Sequence, residues 1–320
     1  MPTTIFQNGH YLSPEGAKLS ALDAGIQHAV GVFTTLLAGC GSRRPEPVDI
    51  SAEAPIEGVW AVDLDDHLDR LVVSAMELGL AEQLNPSALA EALTQTVARS
   101  NLPRARVRLT LTGGDLNLLH RDGKPVPRMP TVLIVAQPAT VYPDAMLQRG
   151  VLATLSATRP SPLDRFIGHK TLNYWWRLYE LQVAAKKNAG EALVFDSAAR
   201  LIGGCVSNAF IVKGDHVYTP PSSRDDAGTP GESLPSATLP GITRQWAIHE
   251  LAGRGTIVQK RHLTIDDVLS ADELFLTNSS WGVLPVTQVE SRKIGPGTPG
   301  SIAQELVQRW ARNVASLAGE

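Results

Sequence analysis

One lysine stands out as a group that could carry covalent chemistry. Lys170 lies in the run Gly168-His-Lys-Thr-Leu-Asn-Tyr174, which continues into two tryptophans. A lysine amine condenses with an aldehyde, and apolar surroundings lower the pKa of the amine and free its lone pair. The alternative is a solvated lysine at the start of a helix, which the pattern predicts from about Thr171 to Lys187. Single lysines are common, so this segment alone favours the alternative.

Two further segments offer donors for an anion such as phosphate. Leu239-Pro-Gly-Ile-Thr-Arg244 opens a predicted helix over 241–252, whose first backbone N–H groups and Thr243 hydroxyl suit an anion. Leu276-Thr-Asn-Ser-Ser-Trp281 follows a predicted strand and is rich in hydroxyl and N–H donors. The alternatives are a plain helix cap at Thr243 and an Asx- or Ser-turn after the strand.

Arg70 could bring a fixed charge to the same anion. It lies on a predicted amphipathic helix over 65–80, and a guanidinium binds phosphate through two parallel hydrogen bonds. The alternative is a surface ion pair with Asp66 or Asp69.

The elements that must position these residues alternate between strands and helices in both halves of the chain. Short strands are predicted at 4–11, 31–37, 104–112 and 131–136, and again at 151–157, 191–195, 208–212 and 274–277. Long βαβ units are few, which favours an α+β fold over a doubly wound parallel sheet. Two prolines in 137–143 mark a predicted domain boundary, and the Pro- and Ser-rich stretch 220–240 predicts a mobile loop.

Composition excludes several classes of protein. The chain has 320 residues, 29 basic and 32 acidic, for a formal charge of −3, which argues against a nucleic-acid surface or a polybasic membrane patch. Two cysteines, Cys40 and Cys205, form no disulfide framework, and no zinc-binding motif is present, so no metal is expected. No signal-like start or long apolar run occurs, which predicts a cytoplasmic protein.

Taken in order along the chain, these motifs resemble the class IV aminotransferases, the fold-type-IV enzymes that use pyridoxal 5'-phosphate (PLP). Each motif is weak, but their order and spacing are specific. The motifs that carry the resemblance are Asn8-Gly9, Gly31-Val-Phe-Thr-Thr-Leu36, His67-Leu-Asp-Arg-Leu71, Lys170-Thr-Leu-Asn-Tyr174, Glu191-Ala-Leu-Val-Phe-Asp196, Ser207-Asn-Ala-Phe210, Gly241-Ile-Thr-Arg244, Ala271-Asp-Glu-Leu274 and Leu284-Pro-Val286.

The resemblance implies a two-domain fold with the active site between the domains. It places a small N-terminal domain at 1–142 and a larger C-terminal domain at 143–320, which carries the lysine and the loop at about 222–238. That loop is either a lid or a passive insertion. The resemblance also implies a homodimer.

The resemblance further assigns roles by position. Lys170 forms the Schiff base with PLP and moves the proton between the substrate Cα and the cofactor. Leu239 packs on the cofactor ring and Tyr174 lies near its phenolic oxygen. The residues implied to hold the phosphate are Arg70, Ile242, Thr243, Ser279 and Ser280.

One position departs from the family pattern. Members carry a glutamate that keeps the pyridine nitrogen of PLP protonated, and the corresponding cofactor-binding position here is Gly203, with Cys205 close by. Without that carboxylate, each unit of pKa lost by the ring nitrogen corresponds to about 1.4 kcal/mol. Three outcomes stay open: an enzyme that tolerates a neutral pyridine, a site rebuilt from other residues, or a catalytically weakened relative that uses the cleft for binding.

The substrate is less clearly indicated. Thr34 and Thr35, after Phe33, resemble the Phe-Thr-Thr of aminodeoxychorismate lyases, which release pyruvate. Arg108 and its strand resemble the branched-chain enzymes, with Arg108 as a carboxylate ligand or as a solvated partner in an alternating strand. Gly113 stands where the D-amino-acid enzymes carry an arginine. We therefore expect amino transfer between an amino acid, branched-chain-like or another small donor, and a 2-oxo acid, with the lyase as the alternative.

Overall fold

The computed structural model describes residues 3–41, 54–115, 129–225 and 234–320. Two compact units divide the chain: the first contains 1–140, 169–173 and 314–320, and the second contains 141–168 and 174–313. Each unit has its own sheet and its own helices, so the α+β expectation is confirmed. None of the helices in the described ranges is long and apolar enough to span a membrane.

The sheet of the first unit is antiparallel throughout. Its described strands are β1 (Thr4–Gln7), β2 (His10–Leu12), β3 (Gly31–Cys40), β4 (Val59–Ala61), β5 (Ala105–Thr112) and β6 (Val132–Pro138), in the order β2-β1-β6-β5-β3-β4. The segment predicted as one strand over 4–11 is instead the β1–β2 hairpin. The reason is the turn at Asn8 and Gly9, both with positive φ, which reverses the chain.

One face of this sheet is covered by helices. The helices of the unit are α1 (Ala24–His28), α2 (Leu64–Glu77) and α3 (Pro86–Ser100). Leu68 and Leu71 of α2 and Leu93 of α3 pack on Val32 and Leu36 of β3. Since side chains alternate across a strand, residues 33, 35 and 37 of β3 face the other side of the sheet.

The segment 169–173, here called the lysine segment, pairs with β3 as an additional short strand. The Phe33 N–H donates to the Lys170 carbonyl and the Leu172 N–H to the Gly31 carbonyl, both at 2.9 Å. Val32 and Thr171 form an antiparallel bridge. These bonds keep residues 170–172 extended, so the helix does not begin near Thr171 as predicted. Residues 169–173, with Lys170 among them, group with the first unit.

The second unit is built on a mixed sheet with both faces covered. Its described strands are β7 (Val151–Leu155), β8 (Glu191–Phe195), β9 (Leu201–Gly204), β10 (Asn208–Lys213), β11 (His216–Thr219), β12 (Ile257–Lys260), β13 (Glu273–Asn278), β14 (Gly282–Val289) and β15 (Arg292–Lys293). The order is β12-β11-β10-β13-β14-β7-β8-β9, with β15 paired to β14.

Alternation along β10 shows why this sheet is apolar on both sides. Ala209 and Ile211 belong to one buried cluster, whereas Phe210 and Val212 belong to another. The helices of the unit are α4 (Asp144–Arg149), α5 (Trp175–Lys186), α6 (Ile242–Ala252), α7 (Ile265–Leu269) and α8 (Ser301–Ala318), the last of which extends into residues grouped with the first unit.

The predicted mobile loop at 222–238 lies partly outside the described residues, which omit 226–233. Its described ends are held by two arginines. Arg244 donates to the Pro220 carbonyl (2.8 Å) and pairs with Asp225 (2.9 Å), and Arg200 donates to the Pro235 carbonyl (3.0 Å). Burial opposes ionisation of Asp225, but Lys260 and Arg244 together hold the pKa of this carboxyl below its usual range.

Candidate functional site

Lys170 is fixed at its backbone and half-buried at its side chain. Its carbonyl is bonded to β3, and its Nζ lies 4.8 Å from the centroid of the Phe33 ring. An ammonium or amine beside an aromatic face and partly shielded from water is the setting in which a lysine nucleophile is expected.

Arg70 enters the same unit from α2 as a buried side chain. It is 5% exposed and donates from Nη2 to the Thr34 hydroxyl at 3.0 Å. Thr34 Oγ1 also lies 2.7 Å from His67 Nδ1. The alternative of a surface ion pair with Asp66 or Asp69 is therefore wrong, because the guanidinium faces the sheet. Lys170, Thr34, His67 and Arg70 are together called the lysine set.

His67 is neutral in this environment. Burial, with the positive charges of Arg70 and Lys170, holds the pKa of the imidazole well below its usual range. A neutral imidazole adds no further positive charge beside Arg70 and Lys170, so these two side chains supply the cationic character of the lysine set.

Thr34, which the sequence predicted to bind substrate, is buried against Arg70. Its side chain is 0% exposed and lies on the helix-covered face of β3. Alternation along the strand is the reason, since Phe33 and Thr35 face the opposite side. Thr34 instead holds Arg70.

Arg108 and Thr35 share that opposite face. They are directly opposite in the β3–β5 register. The Arg108 Cζ lies 3.6 Å from the Phe33 ring centroid, and its Nε donates to Thr110 Oγ1 at 3.2 Å. The Thr35 hydroxyl is buried without a hydrogen-bond partner in the described ranges. We call Phe33, Thr35, Arg108 and Thr110 the arginine face.

In the second unit, the segment that leads into α6 is held by Asn208, a residue outside the helix. Gly241, at the N-cap position, provides no side-chain cap for the first N–H groups. Asn208 donates from Nδ2 to the Leu239 carbonyl at 2.9 Å, and a Cβ at Gly241 would lie 1.9 Å from Asn208 Oδ1. Asn208 therefore sets the path of 239–241, from which Ile242 and Thr243 follow.

A turn at residues 278–280 of the same unit lies beside the start of α6. Thr243 Oγ1 lies 3.3 Å from Ser279 Oγ. Asn278 Oδ1 accepts from the Ser280 and Trp281 N–H groups at 2.9 and 3.0 Å, so the turn is an Asx-turn, as the alternative interpretation predicted. The turn nevertheless places Ser279 beside Thr243, so the two hydroxyls lie within hydrogen-bonding distance of each other.

Gly203 lies on β9 in a conformation that a side chain does not tolerate. Its φ is +135°, and a Cβ there would lie 2.5 Å from the Ser207 carbonyl oxygen. The Gly204 N–H donates to that same carbonyl at 2.9 Å and closes the turn. Residues 203–208, 239–243 and 278–280 are together called the turn set.

A buried carboxylate supports this turn. Glu191 is 0% exposed and accepts from the Cys205 N–H, the Val206 N–H and the Ser207 hydroxyl. Burial raises the pKa of Glu191 to about 6, although the hydrogen bonds from Ala192, Ser207, Val206 and Cys205 act in the opposite direction. Burial likewise raises the pKa of the Cys205 thiol, which makes it an inert, packed side chain.

Tyr174 is the N-cap residue of α5, and an arginine of that helix lies near it. The Arg177 Cζ is 5.7 Å from the Tyr174 ring centroid and 4.3 Å from that of Trp176. Arg177 also donates to the Cys205 carbonyl at 2.9 Å. The turn that follows Gly203 is therefore contacted by a cation, Arg177, as well as by the Glu191 carboxylate.

Sequence reasoning missed the residues that hold others in place. His67, Asn208, Asn278, Glu191 and Arg177 appeared within motifs or not at all, and none was assigned a role. For two of them a signal was available, since Asn208 and Asn278 stand at strand ends, where an amide side chain commonly fixes a turn.

Comparison with known proteins gives one family. The model of the family "Amino-transferase class IV" matches residues 55–289. The chain is 28% identical over 315 residues to a putative branched-chain-amino-acid aminotransferase of Methanocaldococcus jannaschii, covering 96% of this chain and 94% of that protein. It is 24% identical over 323 residues to the aminodeoxychorismate lyase of Bacillus subtilis, covering 98% and 97%.

A solved structure agrees with the sequence matches. The T.th. branched-chain amino acid aminotransferase, in its crystal structure with pyridoxamine 5'-phosphate, superposes with a TM-score of 0.80 at 25% identity, over 98% of this chain and 94% of that one. The fold expected from the motifs is confirmed. Since the family model covers more than half of the chain, this protein belongs to the class IV aminotransferases, a family of PLP-dependent enzymes.

Proposed function

We propose that this chain binds PLP through Lys170 and transfers an amino group between an amino acid and a 2-oxo acid. The observation that carries the proposal is the lysine segment: its backbone is bonded to β3, and its amine lies 4.8 Å from the Phe33 ring centroid. A nucleophile held in this way has its position defined before the cofactor arrives.

The side chains of the lysine set match two groups of PLP, its aldehyde and its phosphate. Lys170 provides the amine for the aldehyde, and the buried Arg70 provides a charged donor for the phosphate. The turn set adds backbone N–H groups at Ile242 and Thr243. Ser279 and Ser280 add hydroxyls beside them. We propose that the turn set binds the phosphate of the cofactor, and that Leu239 and Tyr174 lie beside its ring.

At position 203, where the resemblance places the family's carboxylate, this chain has a glycine. Gly203 has no side chain, and its φ and its distance to the Ser207 carbonyl leave no room for one. Bound PLP supplies an electron sink for negative charge at the substrate Cα. The protein's own contribution that we propose is Lys170, which moves the proton at that carbon.

The arginine face is our proposed binding place for the substrate carboxylate. Arg108 presents a guanidinium that is already stacked on Phe33, so little side-chain freedom is lost when a carboxylate binds. The unpartnered Thr35 hydroxyl directly opposite Arg108 would donate to the same group. Thr34, because it is buried against Arg70, is not part of this proposal.

The second candidate function is the release of pyruvate from aminodeoxychorismate. The Thr35 hydroxyl favours it, since the Phe-Thr-Thr run resembles the lyases and the polar group has no partner among the described residues. Both reactions use the same lysine and the same cofactor. They differ in product, because a lyase releases pyruvate without consuming a 2-oxo acid.

The first experiment follows the visible absorption of purified protein on addition of PLP. The wild-type protein should gain a band from the covalent bond, and reduction with borohydride should leave the label on Lys170. Lys170→Ala should show no band, whereas Lys18→Ala, which changes an exposed lysine of the same unit, should match the wild type. A band that persists in Lys170→Ala, or that never forms in the wild type, rejects the proposal.

The second experiment separates the two reactions. The protein is incubated with branched-chain amino acids plus 2-oxoglutarate, and separately with aminodeoxychorismate. Glutamate formed in step with loss of the amino acid supports the transferase. Pyruvate formed with no amino exchange would identify the lyase, and neither product in a protein with the band would identify a binding role.

We also propose a homodimer, supported by an exposed apolar surface on α5. Trp175, Leu178 and Tyr179 are 71%, 46% and 54% exposed. Exposed apolar groups clustered on one helix are typical of an interface. Light scattering of the purified protein should give twice the mass of the chain, and a monomer that is active with bound PLP would contradict this proposal.

A further inference from the structure

Helix α2 carries four polar residues on a single face. Their spacing of three, four and three residues places them in one row along the helix, and they are His67, Arg70, Ser74 and Glu77. The first two contact Thr34 on β3. The last two contact the residue that directly precedes the reactive lysine.

That residue is His169. Its Nδ1 lies 3.0 Å from Ser74 Oγ, and its Nε2 lies 3.7 Å from a Glu77 carboxylate oxygen. The imidazole is 17% exposed and Glu77 is 61% exposed, so the pair lies at the edge of the lysine set. Ser74 is 7% exposed, and its hydroxyl is therefore not a surface group.

The proton on this imidazole has a favoured place. Burial lowers the pKa of His169, while Glu77 acts to raise it, and the net shift favours the neutral ring. A carboxylate can only accept, so a ring proton on Nε2 points toward Glu77, although the distance of 3.7 Å is longer than a direct hydrogen bond. Nδ1 then accepts from the Ser74 hydroxyl, which fixes the orientation of the ring.

The lysine segment is thus held from two directions. Backbone hydrogen bonds join Lys170 and Leu172 to β3, and the His169 ring joins the preceding residue to α2. The ring contact therefore restrains the chain just before Lys170. We propose that His169, held by Ser74 and Glu77, is a positioning residue that places the Lys170 amine for its covalent bond with PLP. This inference rests on the proposed function of Lys170.

A comparison of two cofactor forms tests it. PLP forms the covalent bond with Lys170, whereas pyridoxamine 5'-phosphate carries an amine in place of the aldehyde and binds only through non-covalent contacts. A variant with a misplaced lysine should bind PLP more weakly but bind the pyridoxamine form as before. A variant with a damaged pocket should lose affinity for both.

The expected result for His169→Ala is a Kd for PLP raised about tenfold, with the Kd for pyridoxamine 5'-phosphate within about twofold of the wild type. His169→Asn keeps a polar atom near the Nδ1 position and should recover most of the PLP affinity. Ser74→Ala and Glu77→Gln should each give a PLP-selective loss of about threefold. His10→Asn, an exposed histidine of the same unit, is the control and should change neither Kd.

Equal losses for the two cofactor forms, or no loss in His169→Ala, would overturn the inference while leaving the proposed function intact. If His169→Ala does not fold, Ser74→Ala and Glu77→Gln carry the test, and the absence of PLP-selective loss in both would overturn it. Failure of the wild-type protein to bind PLP would instead reject the proposed function.

Discussion

The lysine set of the first unit and the turn set of the second unit are built by different physical means. In the lysine set, charged and titratable side chains provide the contacting groups. Arg70 donates to Thr34. The Lys170 backbone is bonded to β3, and the preceding residue, His169, contacts α2. In the turn set, backbone N–H groups and small hydroxyls are the groups available to contact a ligand. Amide and carboxylate side chains there act mainly on the backbone.

This difference determines which substitutions matter. A change of charge should damage the lysine set directly, because the cation itself is lost. In the turn set the contacting atoms are mostly common to all residues, so damage should come from changes that move the backbone. Substitutions in both sets can test this contrast, and the largest effect is expected at Gly203.

Gly203→Ala should be strongly destabilising although alanine is small. The residue has φ of +135°, and the added Cβ would lie 2.5 Å from the Ser207 carbonyl oxygen. We expect the free energy of unfolding to fall by about 3 kcal/mol in urea denaturation. Gly9→Ala, where φ is +93° and no atom lies within 4 Å of the added Cβ, is the control and should cost about 1 kcal/mol.

The same geometry bears on restoring the carboxylate of the family. From the sequence alone, a glutamate at position 203 would be expected to strengthen the site. Instead we expect Gly203→Glu to destabilise the protein at least as much as Gly203→Ala. A Gly203→Glu variant as stable as the wild type would show that this turn can move, which would weaken the contrast between the two sets.

Arg70→Gln should reduce cofactor affinity most among the variants of the lysine set. It removes a buried charged donor, a loss of about 2–3 kcal/mol and thus about 100-fold in Kd. PLP and pyridoxamine 5'-phosphate should be affected alike, because both carry the phosphate. Arg70→Lys keeps the charge and should lose less. Unchanged Kd values in fluorescence titrations of Arg70→Gln would place the phosphate elsewhere.

Glu191→Gln should change the pH dependence of stability. The folded-state pKa of about 6 is above the ordinary 4.5, so the folded protein binds the proton more tightly than the unfolded chain. Stability from this group is therefore full below pH 4.5 and falls by about 2 kcal/mol as pH rises through 6.

The measurement is the free energy of unfolding at about pH 4.5 and about pH 7 for the wild type and the variant. The free energy of unfolding of the wild type minus that of Glu191→Gln should change by about 2 kcal/mol between the two pH values. Glu82→Gln, at an exposed position, should show no such shift. A constant difference for Glu191→Gln would mean that the carboxylate is not buried as described.

Thr34→Val should have the smallest effect. It removes the hydroxyl that accepts from Arg70 but leaves the charge, and a lost hydrogen bond of this kind costs about 1 kcal/mol, or about fivefold in the Kd for PLP. Thr34→Ser keeps the hydroxyl and should match the wild type. A loss as large as that of Arg70→Gln would show that the hydroxyl contributes more than support.

The sequence predicted the fold class, the family and most elements, because apolar periodicity and motif order depend on local residues. The helix predicted over 65–80 is present as α2, and the strand over 104–112 as β5. The prediction of a helix from Thr171 was wrong because residues 170–172 pair with β3, and this contact joins segments that are distant in the chain. Local propensity is overridden where such hydrogen bonds form.

Site residues divide in the same way. Arg70 was singled out by its charge and Lys170 by its chemistry. The burial of Thr34 on the helix-covered face was not foreseen, since the motif does not reveal which residues of a strand meet the helices. The holding roles of Asn208, Asn278 and Glu191 depend on turns whose geometry exists only after the sheet has formed.

The pairing of the lysine segment with β3 also bears on how the protein reaches its final form during synthesis. Residues 169–173 and 314–320 complete a unit that begins near residue 3; Arg104 and Glu320, for example, pair at 3.0 Å. A nascent chain released only to residue 140 lacks the segment that pairs with the start of β3, and lacks Lys170 with it. Completion of the hydrogen bonds along β3 therefore waits for translation of residues 169–173, so a fragment cut at residue 140 would contain the first unit only in part.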